Sequence, residues 1–175
     1  MLGKYDYPEM NDLAAKVPVG SEGLLMLPFG NGAERMLCNN DPGAQLVNLN
    51  FNIHDERHLC RAIQEGIVFS FQYGLEIMGK MGLKPKVMRA GHANLFLSPL
   101  FRQLLANTSG IPIEVYNRDG ATGAAIGAAI GYGATDFDHA FNGLTIIETT
   151  EPEKGSDAYC EAYGRWLKAL ALSST

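Results

Sequence analysis

The chain has 175 residues, with 14 basic and 19 acidic side chains, a formal charge of −5 and 46% hydrophobic residues. At roughly 150 residues per domain this is one domain, large enough to fold without disulfides or metal. The acidic balance, with no basic cluster, excludes a nucleic-acid footprint. No apolar run nears the ~20 residues that span a bilayer, so neither nucleic acid nor membrane is an expected partner.

Residues 1–8 are polar and lack a signal-peptide core. Cys38, Cys60 and Cys160 stand far apart in no CxxC pair, which reads as reduced thiols and a cytoplasmic location. Glycine, at 20 of 175 residues, exceeds the usual share, and charged residues, at 19%, fall below it. Together they imply close backbone packing and a face buried on a partner.

In chain order, residues 8–17 predict a short helix that stops before Pro18. Residues 24–29 form an apolar run of strand length, followed by the turn-rich GNGAER. Residues 45–51 alternate in the manner of a half-buried strand. From Leu59 the apolar and small positions Ile63, Gly66, Ile67, Ser70, Gly74, Ile77 and Met81 follow one face of a long helix. Asp55 and Glu56 open it, and Gly82 and Pro85 close it. Residues 86–90 predict a strand leading to Gly91. Ser98-Pro99 is an N-cap with proline at the first helical position, and Gly110 ends that helix. Residues 111–116 predict a strand, NRDG a turn, and 120–133 a small-residue helix. Residues 148–156 read as a mobile linker, and 157–171 as an amphipathic helix. Strands alternating with helices predict an α/β layer fold with parallel strands and right-handed crossovers.

Four constellations bear on chemistry. At Gly91, His92, Ala93 and Asn94 a strand gives way to a loop before the Ser98-capped helix. Ligands of open α/β sheets bind at the carboxyl ends of strands, and helix N-termini offer free N–H groups. Small residues at 91 and 93 suit a planar ligand, and Asn94 offers hydrogen bonds. Secondly, Gly123, Gly127 and Gly131, preceded by Gly120, form a stripe. Each internal glycine costs a helix about 0.5–1 kcal/mol, so another backbone or a ligand is expected close by. Helix–sheet packing is the plainer account, and the first turn, 120–123, is the part open to a ligand. Thirdly, Gly30 and Gly32 mimic a dinucleotide fingerprint, but Arg35 replaces the third glycine and no helix has room to follow. Lastly, His54 and His58 stand at i and i+4, a spacing that suits a metal, yet they lie at a charged helix start that reads as solvated. The chain has no P-loop and no GxSxG.

The segments LLMLPFGNGAER, DPGAQLVNLNFNIHDERHLCRAIQEGIVFSFQYGLEIMGKMGLKPKVMRAGHANLFLSPLFRQLLANTSGIPIEV and DGATGAAIGAAIGYG resemble the C-terminal domain of the FGGY family of carbohydrate kinases, the xylulose kinases above all. The resemblance covers about residues 8–135. It implies an α/β, actin-like ATPase (ribonuclease H-like) C-terminal domain, with a mixed sheet and helices on both faces. It divides the chain into an N-terminal helix and linker (1–22), the nucleotide-binding domain (23–147), and a linker with a docking helix (148–175).

The resemblance further implies transfer of the ATP γ-phosphate to a ketopentose such as D-xylulose. ATP or ADP is the cofactor, with Mg²⁺ held mainly through the phosphates and an N-terminal sugar-binding domain. Nucleotide binding falls to Gly91, His92, Ala93, Asn94, Ser98, Gly120 and Gly123. The family's run of glycines in this loop reads AGHAN here. The catalytic Asp belongs to the sugar-binding domain, which nothing here matches, so the chain on its own is expected to be inactive. The implied partners are that domain, the sugar and ATP; a homodimer stays open. The alternative is a stand-alone, non-catalytic nucleotide-binding or interaction module of the same fold. A nicotinamide-dependent oxidoreductase fragment built on 30–35 is the weaker third reading.

Overall fold

The computed structural model describes residues 4–155 and 157–173. The expectations for residues 1–3, for linker position 156 and for 174–175 lie outside the described residues.

Helix α1 (Tyr7–Ala15) opens with a capping box: the Asp6 carboxylate accepts the Glu9 N–H, and Glu9 returns the bond to the Asp6 N–H. Strands β1 (Leu25–Phe29) and β2 (Gly43–Val47) pair antiparallel, Leu25 opposite Val47. The expected strand over 45–51 stops early because Asn48 takes a left-handed φ of 63°, which ends any ladder. Helix α2 (Glu56–Lys80) follows, 25 residues capped by Asp55. Then come β3 (Met88–Gly91), α3 (Pro99–Ser109), β4 (Ile113–Tyr116), α4 (Gly120–Tyr132), the single-turn α5 (Phe137–Ala140), β5 (Ile146–Thr150) and α6 (Asp157–Ser173).

The strands form two sheets rather than one parallel layer. β1 and β2 stand alone, and the second sheet has the order β3-β4-β5. Among the described residues only β3 and β4, joined by the crossover helix α3, run parallel; β5 returns antiparallel to β4. The all-parallel expectation fails because helix–strand alternation predicts parallel pairing only where a helix makes the crossover, and no helix lies between β1 and β2. The mixed sheet implied by the family resemblance is present. The expected linker over 148–156 is shorter than expected, because 148–150 complete β5, with Thr150 buried at Ile113 and Glu148 paired to Arg102.

One apolar core joins the parts. Leu27 and Phe29 of β1, Phe69 of α2, Phe101 and Leu105 of α3, and Trp166 of α6 are all essentially inaccessible. The tail helix therefore docks on its own chain, where Trp166 donates its Nε1–H to the Met26 carbonyl at 2.8 Å. α2 lies so close to β1 that a Cβ at Gly66 would collide with the Met26 carbonyl oxygen. The start of α2 departs from its solvated expectation at one residue. His58 is buried, with Nδ1 2.8 Å from Asp55 Oδ1 and Nε2 3.3 Å from Glu22 Oε2. Asp55, Glu56 and Arg57 stay exposed as expected; His58 alone turns inward, because both of its ring nitrogens find a partner. The loop after β1 closes on itself through the Glu34 N–H to the Asn40 carbonyl and a 3-10 turn, Arg35–Leu37, so no dinucleotide helix follows it.

Candidate functional site

The loop between β3 and α3 lies at the carboxyl end of the parallel pair. Its conformation follows from its own backbone bonds. The His92 N–H donates to the carbonyls of Tyr116 (3.0 Å) and Arg118 (2.9 Å), tying the loop to the turn that delivers α4. That approach requires glycine at 91, where a Cβ would stand 2.5 Å from the Arg118 carbonyl oxygen. The small residue expected to admit a ligand thus first admits a neighbouring stretch of chain. Ala93 is extended, its N–H bonded to the Gly91 carbonyl at 2.8 Å. Asn94 takes a left-handed φ of 53° and opens a 3-10 turn, Asn94–Leu97. Asparagine tolerates this conformation better than most residues. Ser98 is buried, and its Oγ accepts the Phe101 N–H at 3.2 Å, capping α3.

The seven expected residues are strung along this loop and the start of α4 but do not converge on one cavity. Asn94 and Ser98 line a cavity of about 390 Å³ whose far wall is Tyr7, Pro8 and Asn11 of α1. His92 lines a cavity of about 540 Å³ with Asn117, Arg118, Asp119 and Thr122. Gly91, Gly120 and Gly123 line a groove of about 530 Å³ that continues to Tyr116, Ile126 and Phe141. Arg118 and Asp119 belong to both of the latter, so the two are neighbours.

At the head of α4, Asp119 Oδ1 accepts the Thr122 N–H at 2.9 Å and the Thr122 hydroxyl at 2.8 Å. These bonds hold the Asp119 carboxyl below its usual range. On the sheet, the Tyr116 hydroxyl donates to Glu114 at 2.8 Å, which raises the phenol. Behind the loop, the buried Arg102 guanidinium donates to the Phe96 carbonyl and to Glu148 of β5. It clamps the 3-10 turn from beneath.

Sequence reading missed four contributors. Arg118 and Asp119 sat in NRDG, read only as a turn; an aspartate three residues before a threonine just ahead of a helical run is the cap signal that marks them. Arg102 stands four residues after Ser98, a charge on an otherwise apolar stripe. Asn11 lies in the helix expected over 8–17, and no local pattern tells that α1 folds back against the loop. The described residues contain no group of three or more His, Cys, Asp or Glu side chains placed to hold a metal, and no helix among them is long and apolar enough to cross a membrane.

The model of the FGGY family of carbohydrate kinases, C-terminal domain, matches residues 5–132. This chain belongs to that family. The xylulose kinase of Haemophilus influenzae is 33% identical over 127 residues, 71% of this chain and 24% of its own length. The L-xylulose/3-keto-L-gulonate kinase of Escherichia coli is 32% identical over 178 residues, 97% of this chain and 34% of its own. Two solved structures share the fold of the C-terminal domain of this family. The ligand-bound xylulose kinase of Lactobacillus acidophilus superposes with a TM-score of 0.80 at 24% identity, over 98% of this chain and 36% of its own. The Plasmodium falciparum glycerol kinase with ADP superposes with a TM-score of 0.76 at 20% identity, over 97% of this chain and 34% of its own. The chain spans a quarter to about a third of the curated relatives it matches. The match takes in α1 together with the β3–α3 loop and α4.

Proposed function

We propose that this chain is the nucleotide-side portion of an ATP-dependent sugar kinase acting on a ketopentose such as D-xylulose. The observation that supports it best is the β3–α3 loop, open to cavities on both sides at the end of the only parallel strand pair among the described residues, in a chain of a sugar-kinase family. In this reading the loop residues Gly91, His92, Ala93 and Asn94, the cap Ser98 and the first turn of α4, with Gly120 and Gly123, contact ATP or ADP. Asn94 and Ser98 face the cleft against α1, where Asn94 supplies both a donor and an acceptor to a planar base. His92 and Arg118 line the opposite cavity.

Transfer of a phosphoryl group from ATP to a sugar hydroxyl is governed by positioning and charge stabilisation. The residues of this chain hold the nucleotide and, on closure against the sugar-binding part, exclude water. Mg²⁺ supplies charge neutralisation on the phosphates. Among the described residues no group of three or more His, Cys, Asp or Glu side chains is placed to hold it. The base that accepts the sugar hydroxyl proton belongs to the sugar-binding part.

The test is a titration of the ¹⁵N-labelled chain with ADP, followed through backbone amide shifts. Shifts confined to 91–98 and 118–123, weakened at least several-fold by Asn94→Ala, support the reading. Saturable shifts elsewhere, or binding indifferent to Asn94→Ala, overturn the placement. The closed core around Trp166 favours one second reading, a self-sufficient module of the same fold that binds nucleotide without turnover. Its mark is unchanged ADP affinity when a sugar-binding portion is joined to the chain.

A further inference from the structure

The cavity beside α1 has one wall made of a turn with little of its own to hold it. Asn94, Leu95, Leu97 and Ser98 form that wall. None of the four residues of the 3-10 turn Asn94–Leu97 is buried, and such turns have poorer hydrogen-bond geometry than an α-helix. Asn94 enters it with a left-handed φ of 53°. A segment of this kind sits at the low-stability end of a fold unless a fixed group ties it down.

Arg102 is that group. Its side chain is buried, and it reaches out of α3 to two acceptors on different elements. Nη1 donates to the Phe96 carbonyl and Nη2 to the Glu148 carboxylate of β5, while Nε has no partner among the described residues. Phe96 stands between Leu95 and Leu97, and both leucines line the cavity. A bond at the Phe96 carbonyl therefore sets where both of them stand. The Phe96 ring also meets Phe101 edge-on, with centroids 5.7 Å apart, a contact that leaves the peptide plane free to turn.

The far end of the clamp is itself held. β5 is paired to β4. Beyond it, Gln103 Nε2 donates to the Glu151 carbonyl at 3.0 Å, and Asn107 accepts the Glu153 N–H at 2.8 Å and donates to the Tyr159 hydroxyl at 3.0 Å. α3 thus carries a row of polar side chains that bind the stretch from β5 to α6, and Arg102 is the member of that row that also reaches the loop. A buried ion pair adds little net stability over apolar packing. A guanidinium offers instead a rigid fork that meets two acceptors at fixed angles.

We propose that Arg102, oriented by Glu148, is a positioning residue for the nucleotide. It acts through the Phe96 carbonyl to hold Asn94, Leu95 and Leu97 against a planar base in the cavity beside α1. The proposal rests on the nucleotide reading above.

The test is an ADP titration of the ¹⁵N-labelled full chain and its variants, with hydrogen exchange and urea midpoints measured on the same samples. Arg102→Lys keeps the buried charge beside Glu148 but has no fork to span both acceptors. It is expected to weaken ADP at least about fivefold and to quicken exchange at 96–98 about tenfold, with α2 and α6 unchanged. Arg102→Met combined with Glu148→Gln leaves no charge buried without a partner. It is expected to behave as Arg102→Lys does, and it carries the test if Arg102→Lys fails to fold. Glu148→Gln alone keeps an acceptor for the fork, at a half-exposed site, and is expected to hold ADP within about twofold of the wild type. ADP affinity equal to the wild type in the Arg102 variants overturns the proposal and leaves the nucleotide reading standing. Weakened binding with exchange quickened as much in α2 and α6 as at 96–98 makes Arg102 a support of the core and overturns the proposal as well. A wild-type chain without saturable ADP shifts sinks the nucleotide reading, and the proposal with it.

Discussion

Helices α2 and α4 both carry glycines on their small-residue faces, and the structure uses them in opposite ways. At Gly66 the α2 backbone lies against the Met26 carbonyl of β1, with no room for a methyl group. At Gly127 the α4 backbone faces open space. α2 is covered over its first half, where Cys60, Ala62, Val68 and Phe69 are buried and the charged Arg61 and Glu65 are enclosed with them. α4 is apolar over a larger share of its length and buries none. Composition therefore does not decide burial; the neighbours that tertiary structure supplies do.

The largest test of this contrast lies at the buried charges of α2. Arg61 Nε donates to Glu65 Oε1 at 2.7 Å, and the Gly20 N–H donates to the same oxygen at 2.9 Å. Both side chains are more than nine-tenths buried. Glu65→Ala leaves the guanidinium uncompensated and is expected to cost about 3–5 kcal/mol in urea unfolding. The same residue gives the pH dependence. Burial raises the Glu65 carboxyl above its ordinary 4.5, opposed by Arg61, the Gly20 amide and Arg165. Its contribution is therefore fully present below its unfolded value and is lost as pH rises through the higher folded value. Replacement by glutamine is expected to flatten the fall of the urea midpoint above about pH 4.5; an unchanged slope would place the titration elsewhere.

Next in size is the glycine pair itself. Gly66→Ala forces α2 off β1 and is expected to cost about 1–3 kcal/mol. Gly127→Ala meets nothing and gains helix propensity, stabilising α4 by about 0.5–1 kcal/mol. Equal effects at the two sites would erase the distinction between a covered and an uncovered helix. The smallest global effect is expected from Asp119→Ala. It removes the cap of α4, worth about 1 kcal/mol locally, and because α4 stands apart from the core it should quicken amide exchange over 120–125 while the global midpoint stays put.

Much of the fold was legible in the sequence. Helices α2, α3, α4 and α6 fall within a few residues of their expected bounds, because their caps, Asp55, Ser98 and Asp119, and their stops, Gly82 and Gly110, act locally. The strand after Gly43 was misjudged at its end because one left-handed asparagine, Asn48, outweighs a continuing alternation. His58 was read as solvated because its partners, Asp55 and Glu22, include one 36 residues away. In the candidate site, the loop at Gly91 and the cap Ser98 showed in the sequence. The opposite wall from α1 and the clamp by Arg102 did not, since both depend on elements far apart along the chain.

What the sequence determined by itself is most of the helices and strands, the caps at Asp55 and Ser98 and the family pattern that runs through them, since helix signals act over a few residues. What only the tertiary structure decided is partnership. It pairs β1 with β2 in a separate sheet, encloses Glu65, closes Trp166 onto Met26 and leaves α4 bare. Those outcomes rest on surfaces and hydrogen-bonding groups that meet across long stretches of chain, and no local pattern says which apolar face will find cover.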